Sequence, residues 1–225
     1  MSIYGRYVLP FLTDLAMRNP VARAERARLV PLARGDVLEV GVGSGLNIPM
    51  YGPEVQRLYA LDPSRELLGM ARRQAPRTRI LVTFMQESAE SIPLPDAAVD
   101  TVLTTWTLCT IPDPGKALRE MRRVLRADGQ LVFIEHGRAP DPAVVQWQDR
   151  LTPLWRAIAG GCHLNREIDR LLALGGFEVT ALDRGYTRGL RVASYLYRGR
   201  AHPTGPPATP SPDDDERRPH DGRHE

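Results

Sequence analysis

The chain predicts an α/β fold on a mostly parallel sheet, and three observations carry that reading. The run Val37-Leu38-Glu39-Val40-Gly41-Val42-Gly43-Ser44-Gly45 is an apolar strand that ends in an acid and three alternating glycines. From there on, strand-like and helix-like stretches take turns along the chain, the rhythm of a parallel sheet. A length of 225 residues with 42% hydrophobic content is enough to bury one substantial core.

Taken in order, Tyr4, Tyr7, Val8, Phe11, Leu12 and Leu15 recur at helical spacing and predict an amphipathic first helix whose apolar side covers a core or an active site. Asn19-Pro20 reads as the cap and first turn of an arginine-rich helix that ends before Pro31. After the glycine turn, residues 58–61 form a second strand, and Asp62-Pro63 reads as the cap of a helix through Leu67, Leu68 and Met70. Strands are expected at 80–85 and 99–105. Asp113-Pro114 then caps a helix carrying Leu118, Met121 and Leu125, which Gly129 ends just before a strand at 131–134. Residues 142–170 read as an insertion with helical pieces, and strands at 177–182 and 192–197 close the chain. With no helix between them, those last two strands predict an antiparallel hairpin at the sheet edge.

One domain over 1–200 is expected, with N-terminal helices over 1–35 and the helical insertion over 140–170. From Ala201 the text turns polar and Pro-rich, with Pro203, Pro206, Pro207, Pro210, Pro212 and Pro219 around Asp213-Asp214-Asp215-Glu216. Such a segment cannot offset its ordering entropy by burial, so 201–225 reads as a disordered tail.

The net charge is +3, and outside the tail 27 basic residues face 21 acidic ones. This basic balance is dispersed, nearly all arginine, and lacks an aromatic RNA-binding box or a long basic run, so no nucleic-acid partner is expected. Two cysteines are too few for a disulfide framework, and Arg6, Pro10, Asp14 and Arg18 interrupt the N-terminus, so no leader is read there. No stretch approaches the roughly 18 apolar residues of a membrane span. A cytoplasmic protein is expected, with peripheral membrane contact and oligomeric state left open.

The glycine turn is a binding surface, because glycine turns through positive φ and has no Cβ to hold a ligand off the main chain. A dinucleotide fingerprint would need its third glycine at 46, where Leu46 stands. The spacing instead suits a cofactor without a diphosphate, such as S-adenosyl-L-methionine, with NAD as the competitor. Glu39 is placed to provide or to organise an acceptor for the ammonium of that cofactor. Asp62, 21 residues after Gly41, ends the second strand, where an acid accepts ribose hydroxyls.

The stretches Glu87-Ser88-Ala89-Glu90-Ser91-Ile92-Pro93-Leu94-Pro95-Asp96, Val99-Asp100-Thr101-Val102 and Arg119-Glu120-Met121-Arg122-Arg123-Val124-Leu125-Arg126 resemble class I S-adenosylmethionine-dependent methyltransferases. Within them, Tyr7-Val8-Leu9-Pro10, Leu108-Cys109-Thr110-Ile111, Phe133-Ile134-Glu135-His136 and Gly161-Cys162-His163-Leu164-Asn165-Arg166-Glu167 resemble the thiol methyltransferase family and its bacterial relatives. The resemblance implies a Rossmann-like seven-stranded sheet in the order 3-2-1-4-5-7-6, last strand antiparallel, with helices on both faces. It also implies S-adenosyl-L-methionine held by Glu39, Gly41, Gly43, Gly45, Asp62, Ser88 and Ala89. Ser88 stands where many members carry Asp. Animal members of the thiol group carry a hydrophobic N-terminal anchor that this sequence lacks, so membrane residence is not carried over.

Methyl transfer from a sulfonium is an in-line displacement governed by positioning. A thiol with pKa near 8.5 needs little help from a base, unlike an alcohol. His136, ending the fifth strand, is the candidate base or substrate contact, its alternative being a structural hydrogen bond. Trp106 packs on adenine or roofs the pocket. Cys109 and Cys162 are either substrate contacts or small buried residues, Asn165 is a contact or a helix cap, and His163 is a second base or a loop histidine. No C-x-x-C or H-x-x-x-H spacing appears in the folded part, so no metal is expected.

The sequence therefore predicts a methyltransferase acting on a small apolar acceptor, with a thiol as first choice. The alternatives are a C-, O- or N-methyltransferase of a quinone, phospholipid or secondary metabolite, a cofactor-binding protein without turnover, and an NAD enzyme.

Overall fold

A computed structural model describes residues 4–205, leaving out the side chain of residue 6. Seven strands form one sheet: β1 (Gly35–Val40), β2 (Val55–Leu61), β3 (Leu81–Met85), β4 (Val99–Thr105), β5 (Leu125–His136), β6 (Phe177–Tyr186) and β7 (Tyr195–Pro203). Their order is β3-β2-β1-β4-β5-β7-β6, the order the resemblance implies. β1 to β5 pair in parallel, and β7 runs antiparallel between β5 and β6, giving the expected edge hairpin.

Alternation along the central strands sends side chains to both faces. Val102, Leu131 and Phe133 pack with Leu118 and Met121 of α4 (Pro114–Val124) and with Ile168 and Leu172 of α6 (Ile168–Leu174). On the other face, Val37 and Leu58 pack with Leu68 and Ala71 of α3 (Arg65–Arg72), while Leu103, Val132 and Ile134 pack with Leu29 of α2 (Pro20–Leu29). Each large side chain removed from water here contributes about 1.5 to 3 kcal/mol. In each parallel crossover the loop that leaves the strand lies at the carboxyl edge, where the cavity described below opens.

The caps expected at Asn19 and Asp113 are present, accepting from the amides of Ala22 and Lys116 at 2.9 Å each. The third differs: Ser64, not Asp62, caps α3, because the Asp62 carboxylate is turned back to the glycine loop. α4 ends at Val124 rather than at Gly129, since Leu125 already pairs with Val99 in the sheet. Asn165 caps nothing either, as α6 begins after Glu167. Residues 191–193 form a turn, not a strand, and β7 runs on through Pro203. The boundary at 200 therefore lies three residues short: Ala201 is fully buried between Leu131 and Val179, where tertiary pairing overrides local composition. The Pro/Asp-rich stretch from 206 on lies outside the described residues.

α1 (Leu9–Met17) follows a short π-helical turn over Tyr4–Val8. Its expected orientation is reversed: Tyr7, Phe11 and Leu15 are each about 60% exposed, and the opposite face covers the cavity. The predicted insertion contains α5 (Pro142–Ile158). No helix among the described residues is long and apolar enough to cross a membrane.

Candidate active site

A cavity of about 440 Å³ opens at the carboxyl ends of β1, β2 and β4, within the size range of small-molecule sites. Its floor is the glycine turn. Gly41, Gly43 and Gly45 all have positive φ, which an L side chain adopts only with strain. A Cβ at Gly41 would lie 2.3 Å from Thr107 Oγ1, so this glycine also permits contact between two loops. A Cβ at Gly43 would meet nothing nearer than 4.0 Å: it faces open cavity, where a ligand approaches the bare main chain.

Asp62 lines the cavity and is buried. Its Oδ2 accepts from the Gly43 amide at 3.0 Å and its Oδ1 from the Ser64 amide at 2.8 Å. Each oxygen keeps a lone pair for a further donor. Burial raises its pKa even though both backbone bonds oppose the shift. Ser88 and Ala89 line the same side, and the Ser88 hydroxyl accepts from the Glu90 amide at 3.2 Å.

Glu39 is not among the lining residues; it lies fully buried behind them. Its oxygens accept from Asn47 Nδ2 at 2.8 Å and Tyr51 Oη at 2.7 Å. Of the two roles expected for it, organising fits and direct contact does not. Burial pushes its pKa up to about 7, against the opposing pull of Tyr51, Asn47 and Arg26.

Trp106 ends β4 with φ 53, a rare conformation for a bulky residue, of the strained kind that clusters at functional sites. The conformation is held from below. The next two amides, of Thr107 and Leu108, both donate to Glu135 Oε1 at 3.0 Å, and Glu135 is fully buried. Above, the Arg26 guanidinium stacks 5.0 Å from the Trp106 ring.

Among the lining residues that sequence reading missed, two are charged. Arg26 is only 5% exposed, and its Nε has no hydrogen-bond partner, although Nη1 donates to the Met17 carbonyl at 2.8 Å. Asp14 binds Arg18 through Oδ2 at 2.9 Å, leaving a buried Oδ1 that makes no hydrogen bond. The arginine-rich and amphipathic patterns of α2 and α1 hide both, because periodicity does not mark which charged residue turns inward.

One part of the cavity wall is mainly apolar: Leu9, Pro10, Met17, Ile111, Pro112 and Ala159. His136, Cys109, Cys162 and Asn165, the expected catalytic and substrate residues, are not among its lining residues. Asn165 instead donates to Asp149 of α5 at 2.7 Å. The other three meet behind the wall. His136 Nε2 lies 2.8 Å from Cys162 Sγ, and the two sulfurs are 3.7 Å apart. All three residues are buried and both cysteines are free. The Cys109 thiol and then His136 lower the Cys162 pKa, against burial. Burial pulls the His136 pKa down, but the Cys162 sulfur outweighs it and the net shift is upward. His163 is half-buried rather than solvent-facing, its amide and ring both bonded to the Cys109 carbonyl.

An open α/β sheet in this strand order, with a glycine turn and a ribose-type acid at adjacent strand ends, defines the class I S-adenosylmethionine-dependent methyltransferase fold. Residues 38–133 match the family described as a methyltransferase domain. Thiol S-methyltransferase TMT1B of Homo sapiens is 34% identical over 152 residues, 66% of this chain and 62% of that protein. Phosphatidylethanolamine N-methyltransferase of Cereibacter sphaeroides is 34% identical over 116 residues, 51% of this chain and 57% of that one. A solved SAM-dependent methyltransferase of Thermotoga maritima, titled a possible histamine N-methyltransferase, shares the fold with TM-score 0.65 at 19% identity, covering 89% of this chain and 97% of that chain. The chain spans about 55% to 62% of the length of the thiol methyltransferases it matches.

Proposed function

We propose that this chain catalyses methyl transfer from S-adenosyl-L-methionine to the thiol of a small apolar molecule, and that it does so in the cytoplasm. The observation that carries the acceptor class is the lack of a histidine, cysteine or lysine among the lining residues of the cavity. Its titratable side chains are Asp14, Arg26 and Asp62, and Asp14 is held below the usual carboxylate range: burial opposes that shift, but Arg18 and Ser44 outweigh it. An acceptor that ionises with little help fits such a wall, and a thiol does so nearer neutral pH than an alcohol or a quinol.

Bound there, the cofactor supplies a methyl group already activated by the sulfonium charge. The protein's residues position it. Asp62 accepts the ribose hydroxyls with its remaining lone pairs, and Gly43 admits the adenosyl group to the main chain. Ser88 and Ala89 border the adenine, and Trp106 closes the pocket over it. Arg26 would receive the methionyl carboxylate and Asp14 the ammonium, with Glu39 bracing Asn47 and Tyr51 behind the cavity. The apolar wall orients the acceptor and excludes water.

A second reading, N-methylation of an ethanolamine phospholipid, draws on the exposed apolar face of α1 beside the cavity and on the Cereibacter relative. It needs a protonated amine to lose its proton without a base, which counts against it. Labelled cofactor should be given with alkyl thiols, ethanolamine-lipid vesicles and quinols in parallel. Thiols should be labelled, with a rate that rises with pH towards each thiol's own pKa. Labelling of the lipid or quinol alone would reject the thiol assignment.

A further inference from the structure

From the buried cluster behind the acceptor wall we infer that Cys109, His136 and Cys162 form a binding site for one borderline-soft divalent cation of the zinc class. The three come from separate stretches: the segment after β4, the end of β5, and the segment after α5. Spacing along the chain gave no hint of a metal, because the ligands are 27 and 26 residues apart and only the sheet collects them. Their donor atoms, two sulfurs and one imidazole nitrogen, all lie within 4.8 Å of one another.

Geometry and chemistry agree on the cation. Two thiolates at about 2.3 Å from a tetrahedral zinc stand about 3.8 Å apart, and the sulfurs here are 3.7 Å apart. The imidazole is nearer Cys162, at 2.8 Å, than the roughly 3.5 Å of a shared coordination sphere, so the ring retreats by about 0.7 Å on loading. Thiolate and imidazole ligands suit zinc and its congeners and disfavour magnesium or calcium, which take oxygen. No fourth histidine, cysteine or carboxylate joins the cluster among the described residues, so one coordination position is left for a water or another small ligand.

The site lies between two pieces of the cavity wall. Thr110, Ile111 and Pro112 follow Cys109, while Ala159 and Gly160 precede Cys162, and all five line the cavity. A shared cation therefore ties these two segments together, adding to the 2.8 Å bond from the His163 amide to the Cys109 carbonyl. Loading displaces thiol protons and stabilises the folded chain.

The test is a titration of the full, reduced chain with Co²⁺ under argon, after dialysis against a chelator. One Co²⁺ per chain should bind, with a thiolate-to-cobalt charge-transfer band and the intense visible bands of four-coordination. Cys109→Ser or Cys162→Ser should abolish the charge-transfer band or halve it, and His136→Ala should weaken binding at least about tenfold. A His220→Ala/His224→Ala variant should load normally, which separates this site from the histidines beyond residue 205. Should the cysteine variants not fold, Zn²⁺ should protect both wild-type thiols from alkylation, and a chelator should reverse the protection. The proposal is overturned by a folded, reduced protein that gives no stoichiometric band and no protection. It is equally overturned by a band that survives both cysteine substitutions, or by ready oxidation to a Cys109–Cys162 disulfide in a protein that takes up no cobalt.

Discussion

At the end of the cavity proposed for the cofactor, the lining comes from residues beside two neighbouring strand ends: Gly41 and Gly43 after β1, and Asp62 after β2. At the end proposed for the acceptor the wall is drawn from stretches far apart in sequence, α1, residues 110–112 and residues 159–160 just after α5. Main-chain geometry dominates the first, and packed apolar side chains the second. A site whose reagent is fixed by backbone can keep that reagent while its side-chain wall changes, which is how one fold serves many acceptors.

The largest expected effect joins the two ends. Gly41→Ala drives a Cβ into Thr107 and strains a positive φ, and it should cost about 2 to 4 kcal/mol in urea unfolding and abolish binding of S-adenosylhomocysteine. Adding Thr107→Gly should recover the steric part only. A Gly41→Ala protein of wild-type stability would mean the ends are not interlocked.

Next in size is a pH effect on stability. Burial pushes the Glu39 pKa up to about 7 in the folded chain from an ordinary 4.5, so its contribution is fully present below pH 4.5 and is lost as pH rises through 7. Stability of the ligand-free protein should fall by about 3 kcal/mol across that window from this group. Glu39→Gln, which can keep both hydrogen bonds, should flatten that part of the slope in denaturation midpoints taken from pH 4.5 to 8.

Asp62→Ala should weaken S-adenosylhomocysteine binding by about 2 to 3 kcal/mol, and Arg26→Met by about 1.5, both read by calorimetry. The smallest effect belongs to the acceptor end: Ile111→Ala should raise the acceptor KM several-fold, about 1 kcal/mol, while cofactor affinity stays put. A matching loss of cofactor affinity there would erase the distinction between the ends.

The same division governs what could be read from the sequence. The glycine turn, Asp62, the strand rhythm and two helix caps were legible because each is a local pattern with a local physical cause. Strand β7 was cut short at 197, and the domain at 200, since the strand's last residues are held by β5 and β6 and not by their own composition. His136 was placed correctly at a strand end, yet the cavity it was expected to serve does not include it. Its ring is turned to Cys162, a residue 26 positions away, and no periodicity reports such a meeting. Arg26 and Asp14 were invisible for the converse reason: they sit in patterns that look like ordinary charged surface.

The hairpin at the sheet edge carries the last described residues to one rim of the sheet. Pro203 sits opposite Phe177 at the far rim from the cavity, and Arg122 holds the Thr204 and Gly205 carbonyls there. A fluorophore or affinity handle joined at residue 205 would thus sit clear of the mouth through which reagents pass.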